Sequence, residues 1–418
     1  MKTKKKTTHK KIQTKKKYQH TKKTSKYNSK SKLKTIRIIT INTEYNDCKN
    51  DMNVYSDIFK KLGYKIDIHI LDINPKIRIK YAPNSYYDIN LFIDRIAPVE
   101  FNIKTIFPSR VNIFAPNVTT FQNYKELKYI DSVLCNTKQC FNFINFIRKE
   151  NSKKYKYTFK TYYTNFTTPI PQQLLNISKS SNANISNTKP MIFIHTADNQ
   201  KFKNTGSLIH CWLKYHSSSS NTLDCILHVL CHGLCMTTLL LDIKKMYHYD
   251  LLNTYTFKKQ QDTDSGNTIL KYKNLYLYLD IKPHTIKYKE LIKNADVALC
   301  PSRKENYPHY INSARYFNLF VITMNQSPMN ELIMNQGSGT GSGYLLQKSK
   351  LNKKVYKDTN YKFDEIYINN EELRDSIVWC LEHKSDIRKY SISNRGRKVY
   401  MDDKNYFENK MEKIMKEL

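Results

Sequence analysis

The sequence predicts an α/β protein built from two doubly wound domains. Three observations carry that expectation. Short apolar runs alternate with amphipathic helical stretches, the pattern of parallel strands joined by helices. The alternation occurs twice, on either side of the polar, low-complexity segment Ser178 to Lys189 (SKSSNANISNTK), which reads as a linker. The chain of 418 residues is long enough for two full cores, and its hydrophobic content of 40% is ordinary for a globular protein.

Taken in order, the chain opens on a basic tail. Met1 to Lys34 holds roughly fifteen lysines and no acid, with Thr, Ser, His and Tyr between them. Such a block cannot bury a core and is expected to be disordered. It lacks the apolar stretch of a secretory signal and the arginine-rich helix of a transit peptide. The formal charge of the whole chain is +34, and setting the tail aside leaves a diffuse excess of about 19. A diffuse excess attracts any polyanion without selecting one. The tail therefore reads either as a solvated segment or as a contact for nucleic acid, an anionic glycan or a membrane surface. No apolar run reaches the roughly 18 residues of a membrane span. Nine cysteines at irregular spacings point to reduced thiols and a cytoplasmic, intracellular setting. Abundant Lys, Asn, Tyr and Ile beside only nine Gly indicate an AT-rich coding genome, such as that of a large DNA virus. A viral factory or virion would then be a location consistent with that setting.

The first domain is expected over residues 35–177. Lys34 to Ile41 (KTIRIITI) is its first strand, and Met52 to Leu62 is an amphipathic helix stopped by Gly63. Lys65 to Leu71 alternates as the second strand, and Ile89 to Ile96 and Arg110 to Ala115 are the next two. After Pro116-Asn117 a helix is expected over TTFQNYKELKYI, with Thr119 or Thr120 as its N-cap. Ser132 to Cys135 is a strand, Lys138 to Lys149 a helix, and Tyr157 to Tyr163 closes the unit.

The second domain is expected over residues 190–385. MIFIHTA, from Met191, is its first strand, and Asn204-Thr205 begins a helix running through Trp212. Leu223 to Leu230 is the next strand. Residues 242–268 are polar and poorly patterned, so an insertion or long loop is expected. Leu275 to Leu279 is a strand and Tyr288 to Asn294 a helix. Val297 to Cys300 is a strand broken by Pro301-Ser302, and a polar loop follows with Arg303, Lys304 and Glu305. A helix starts near His309, with Ala314, Phe317 and Leu319 on its apolar side, and FVIT from Phe320 is the next strand. Gly337 to Gly343 (GSGTGSG) reads as a mobile turn. Glu371 to His383, Arg388 to Tyr400 and Tyr406 to Leu418 are helical, with 386–418 forming closing helices.

Function is expected at the carboxyl ends of the strands, where open α/β sheets bind ligands. A helix N-terminus beside a carboxylate suits a sugar nucleotide, because main-chain N–H groups meet phosphate while the carboxylate accepts from sugar hydroxyls. Pro301-Ser302, Glu305, the Asn306-Tyr307-Pro308-His309-Tyr310 turn and Pro328-Met329-Asn330-Glu331-Leu332 resemble the donor-site signature of GT-B glycosyltransferases of the retaining "group 1" type. In that family a second Glu follows the first after eight positions. Here Glu305 matches the first, Ser313 stands at the second, and Pro308 stands where Gly is usual. A further likeness lies at His195-Thr196-Ala197-Asp198-Asn199-Gln200 and Lys203-Asn204-Thr205, where the family places a basic pair and a helix start. Lys203 matches the Lys; Asn199 sits where Arg is common and Asp198 replaces a Gly. The first domain is also similar to the family's acceptor domain, most closely around NIFAPN and IDSVLCNTK, although Asn46-Asp47-Cys48 replaces the usual glycine-rich loop.

The resemblance implies the GT-B fold: two Rossmann-like domains facing a cleft, the last helices packing back onto the first domain. It implies transfer of a sugar from a nucleotide-diphospho-sugar to an acceptor hydroxyl of a glycan or glycoprotein, with retention, no metal and no further cofactor. Lys203 would neutralise the leaving diphosphate and Glu305 would bind the donor sugar. Thr196, Asn199, Asn204, Thr205, Asn306, Tyr307, His309, Tyr310, Ser313 and Glu331 would line the donor site, and Asn117 would face the acceptor. Five of these have a plainer reading: a first-turn surface lysine for Lys203, a solvated loop carboxylate for Glu305, a helix-start acid or histidine for Glu331 and His309, a turn former for Asn117.

Other candidates are weaker. His228, Cys231, His232 and Cys235 could in principle hold zinc, but structural sites use separated knuckles, and a strand end running into an apolar helix explains the cluster. Asp262-Thr263-Asp264 mimics a metal-binding DxD but falls in the polar stretch. No GxSxG, phosphate-loop or GxGxxG pattern occurs, which leaves hydrolase, ATPase and dehydrogenase readings unsupported. Two rivals stay open: a GT-B scaffold impaired in catalysis, and a basic nucleic-acid-binding protein without a recognisable RNA-binding or zinc-finger motif.

Overall fold

The computed structural model describes residues 34–41, 47–71, 85–96, 106–119, 121, 124–168, 188–197, 201–217, 224–231, 235–248, 250–262, 267–279, 281, 285–333, 342–347, 350–355 and 362–418. They belong to one compact unit, Lys34–Leu418. The basic tail, linker residues 178–187, Asp198, Asn199, His232, Thr263, Asp264 and most of the glycine-rich turn lie outside the described residues.

The first domain comprises β1 (Thr35–Ile41), α1 (Asp47–Lys61), β2 (Lys65–Leu71), β3 (Tyr87–Asp94), β4 (Ser109–Pro116), β5 (Ser132–Cys135), α2 (Lys138–Tyr155) and β6 (Lys160–Tyr163). Its six strands are parallel in the order β2-β1-β3-β4-β5-β6. Strand side chains alternate between faces, so the sheet has two cores. Ile39, Phe92 and Phe114 pack with Phe143, Ile144 and Ile147 of α2. Ile36, Ile38, Ile89 and Leu91 pack with Tyr55 and Phe59 of α1 on the other side.

The second domain comprises β7 (Met191–Ala197), α3 (Thr205–Tyr215), β8 (Cys225–Cys231), α4 (Cys235–Tyr247), α5 (Leu251–Thr254), β9 (Lys258–Gln261), β10 (Thr268–Tyr272), β11 (Leu275–Tyr278), α6 (Ile286–Asn294), β12 (Val297–Cys300), α7 (His309–Tyr316), β13 (Phe320–Met324) and β14 (Gly343–Leu346). A hairpin, β15 (Lys350–Val355) and β16 (Lys362–Tyr367), precedes α8 (Asn370–Glu382), α9 (Lys384–Ile392) and α10 (Arg395–Glu417). The main sheet runs β14-β13-β12-β7-β8-β11-β10-β9, with β10 and β9 antiparallel additions to a parallel core. The winding direction reverses between β7 and β12. Their carboxyl ends therefore flank the crevice where such sheets take ligands.

Three sequence expectations are corrected. The helix after Asn117 is only a short 3₁₀ turn, Tyr124–Tyr129, because the Asn117 side chain accepts from the Thr119 N–H at 3.0 Å and hydroxyl at 2.6 Å, making an Asx turn. Residues 242–268 are not a long loop. They carry the end of α4, buried through Leu239 and Ile243, then α5, β9 and the start of β10. β9 (KKQQ) is an exposed edge strand, so no apolar alternation marks it. The expected break between Tyr400 and Tyr406 is absent. The chain breaks instead at Ser393–Asn394, where Asn394 adopts φ 55°, and α10 runs unbroken for 23 residues.

α10 crosses back onto the first domain, as the resemblance implied. Phe407, Met411, Ile414 and Met415 enter the α1-side core, and each such burial contributes roughly 1.5–3 kcal/mol. At its start Gly396 lies flat on α7: a Cβ there would sit 2.6 Å from the Arg315 carbonyl oxygen, so no larger residue fits this contact. Arg315 then reaches Asp403 of α10 at 2.6 Å.

Candidate active site

The loop after β7 and the loop after β12 meet at the crevice. The Arg303 N–H donates to the Phe202 carbonyl at 2.7 Å, and the Asn204 side chain donates to the Pro301 carbonyl at 2.7 Å. Asn204 precedes α3 at φ 57°, a left-handed conformation that Asn tolerates, and its side chain does not cap the helix. An asparagine after Lys203 thus lets the chain turn sharply into the helix.

Between the loops Lys203 Nζ lies 2.8 Å from Glu305 Oε1, with side chains only 9% and 8% exposed. The ammonium also sits 3.9 Å from the centre of the Tyr310 ring, a cation–π contact. At an effective dielectric of about 20 the charge attraction amounts to about 6 kcal/mol, offset by the cost of drying both groups. Tyr310 is fixed in turn by its hydroxyl, 2.5 Å from Ser302 Oγ. The neighbouring Cys300 thiol is buried, and burial raises it well above the usual thiol range, so it packs and does not act as a nucleophile. The two residues expected to carry the chemistry are thus together, one from each strand end. Neither is the solvated surface group of the plainer reading.

Other expected donor residues are placed differently. Thr196 hydrogen-bonds the buried Tyr288 hydroxyl of α6, and Thr205 faces His195 at 2.9 Å. Ser313 is half-buried on α7. Four residues turn to the first domain. Asn306 accepts from the Val118 N–H at 3.1 Å. Tyr307 is buried against Phe166, ring centres 5.3 Å apart. His309 has Nε2 at ion-pair distance, 3.1 Å, from Asp51, and Nδ1 3.0 Å from Thr168 Oγ1. Glu331 accepts from the Lys138 and Gln139 N–H groups at 2.8 and 3.3 Å and from the Ser327 hydroxyl. Glu331 therefore caps α2 across the seam, where a carboxylate meets the positive helix end. Asn117 is the turn former described above and sits beside that seam.

Sequence reading missed the seam partners. Asp51 and Thr168 carry no signal of their own. Asn312 and Arg315 lie on α7 within the matched stretch and were unassigned; they relay from the Tyr307 hydroxyl (2.9 Å) through 2.8 Å to Asp403. His195, in the stretch before Lys203, is buried between two site elements. Among the described residues no group of three or more His, Cys, Asp or Glu side chains is placed to hold a metal. His228 packs against the Tyr276 and Tyr278 rings, and Asp262 pairs with Lys287 at 3.4 Å. No described helix is long and apolar enough to cross a membrane.

No family model and no curated protein matches this sequence. Solved structures do. Sucrose-phosphate synthase from Thermosynechococcus elongatus is 11% identical, with 92% of this chain and 98% of that chain covered and a TM-score of 0.56. HepE of Anabaena, in complex with UDP and glucose, is 10% identical, with 91% and 100% covered and a TM-score of 0.57. The lipopolysaccharide outer core galactosyltransferase WaaB is 12% identical, with 92% and 100% covered and a TM-score of 0.51. With the two parallel sheets, these likenesses establish the GT-B fold.

Proposed function

We propose that the chain is a glycosyltransferase that takes its sugar from a nucleotide-diphospho-sugar. The observation that carries this is the buried Lys203–Glu305 pair at the carboxyl ends of β7 and β12, beside the start of α3. A dry lysine facing a carboxylate is a charge store that a diphosphate can open: phosphate takes the ammonium, and the released carboxylate accepts from sugar hydroxyls. The likeness to HepE, whose structure holds UDP and glucose, supports the same ligand class. In the step that follows, the bond from the sugar anomeric carbon to the phosphate oxygen breaks, and the diphosphate leaves with the electron pair. Lys203 and the α3 N-terminus offset its charge. The acceptor hydroxyl bonds to the anomeric carbon from the face the diphosphate leaves, its proton passing to the departing phosphate, which gives retention. Lys203 supplies positive charge where some transferases use a metal, so the reaction is proposed to be metal-independent.

A panel of nucleotide sugars tests the reading, scored by thermal shift and by donor hydrolysis, since ligand binding raises apparent stability even without turnover. A shift with one donor class is expected; no shift with any would remove the reading. The second reading, a GT-B scaffold, is favoured by Ser313 at the position of a family carboxylate. It predicts shift without hydrolysis.

A further inference from the structure

We propose that His195 is a positioning residue: it fixes the Thr205 hydroxyl as an acceptor toward the site, leaving anionic groups there to main-chain N–H groups and Lys203. His195 lies on β7 and is 1% exposed. Its Nδ1 is 2.7 Å from the Leu299 carbonyl oxygen of β12. A carbonyl only accepts, so Nδ1 carries the proton. Burial, helped by the Lys203 charge, pushes the ring down to about 4 against the opposing Leu299 bond. Nε2 is therefore bare at neutral pH, and the Thr205 Oγ1–H, 2.9 Å away, must donate to it.

A threonine has one hydroxyl proton. Spent on His195, it leaves only lone pairs, which accept from a ligand hydroxyl and repel a phosphate oxygen. Thr205 is the first residue of α3, itself buried, directly after Lys203-Asn204. The Asn204 side chain beside it is turned onto Pro301. The helix start thus offers its backbone to an anion and withholds the Thr205 hydroxyl. One histidine sets this by bridging the strand end that leads to Glu305 and the helix that follows Lys203.

Only the identity of the anion, a nucleoside diphosphate, rests on the proposed function. Nitrogen-15 NMR of the histidine-labelled full chain should show Nδ1 protonated and Nε2 bare at neutral pH. Calorimetry with UDP should show Thr205→Val losing less than tenfold, at most one neutral hydrogen bond accepted from a ligand hydroxyl, because no bond to phosphate is lost. A donor to phosphate would instead cost roughly ten- to a hundredfold. Thr205→Ser, which keeps the hydroxyl, should match wild type on both counts. A protonated Nε2, or a tenfold loss in Thr205→Val recovered by Thr205→Ser, overturns the proposal. If Thr205→Val does not fold, the wild-type tautomer decides. If wild type fails to bind UDP, the nucleotide reading falls, and the tautomer still decides the role of His195.

Discussion

Lys203 and Glu305 neutralise each other 2.8 Å apart with under a tenth of either side chain in water, and removing one leaves the other charged and dry. Lys203→Ala should therefore destabilise the ligand-free protein by about 3–5 kcal/mol in urea unfolding, and Lys203→Met with Glu305→Leu by clearly less. Equal losses would mean that solvent reaches the pair. Acid should act through other residues. Burial pushes His195 and His216 down to about 4, against the usual 6.5. Between those values the unfolded chain binds more protons than the folded one, so stability is full above about 6.5 and is lost as pH falls toward about 4. Each displacement corresponds to roughly 3 kcal/mol. A urea midpoint flat from pH 7 down to about 4 would contradict these burials. Ser313 tests the donor site from another side: Ser313→Glu should bind nucleotide sugar ten- to a hundredfold more tightly, the size of a charge-assisted hydrogen bond. The Lys203–Glu305 pair was legible because strand-end loops and the family register placed both residues. The Tyr310 contact and His195 were not, because which way a ring turns depends on packing that spacing does not encode.

At the scale of elements, Glu331 belongs to one domain and completes the start of a helix in the other. Thr137 takes the Cys140 N–H at 3.1 Å, and Glu331 takes the two N–H groups before it. Glu331→Ala should cost about 0.5–2 kcal/mol and speed hydrogen exchange at the Lys138 and Gln139 amides. Unchanged exchange there would show that the cap does not persist in solution. Most elements could be read in advance because buried parallel strands are uniformly apolar and α3 and α6 have clear periodicity. The exceptions share a cause. β9 is polar on both faces, and the Asn117 turn replaces a helix with two side-chain hydrogen bonds that outweigh a helical pattern. The join at Ser393–Asn394 turns on an asparagine at positive φ, with Gly396 inside the next helix and no proline to mark the break.

At the scale of the whole molecule, α10 ties α7 to the α1 side of the first domain, and the seam residues Asn306, Tyr307, His309 and Glu331 add further contacts between the two domains. Two sheets, their order of domains and the return of the last helix were legible from alternation and resemblance. The seam was not, because residues read as ligand contacts reach the first domain through partners such as Asp51 and Thr168 that look ordinary in sequence. Residues Met1 to Leu33 carry no apolar periodicity and no acid. Deleting them should move the melting temperature by no more than about two degrees, no more than roughly 1 kcal/mol produces in a domain of about 150–250 residues. A larger fall would mean that the tail is docked.

The most direct test is calorimetric titration of UDP-glucose into wild type and Lys203→Ala under identical conditions. Opening of the Lys203–Glu305 pair by a diphosphate predicts measurable binding to wild type and a loss of tenfold or more in the variant, about 1.4 kcal/mol at least. Equal binding to both proteins, or none to wild type at millimolar donor, would contradict it.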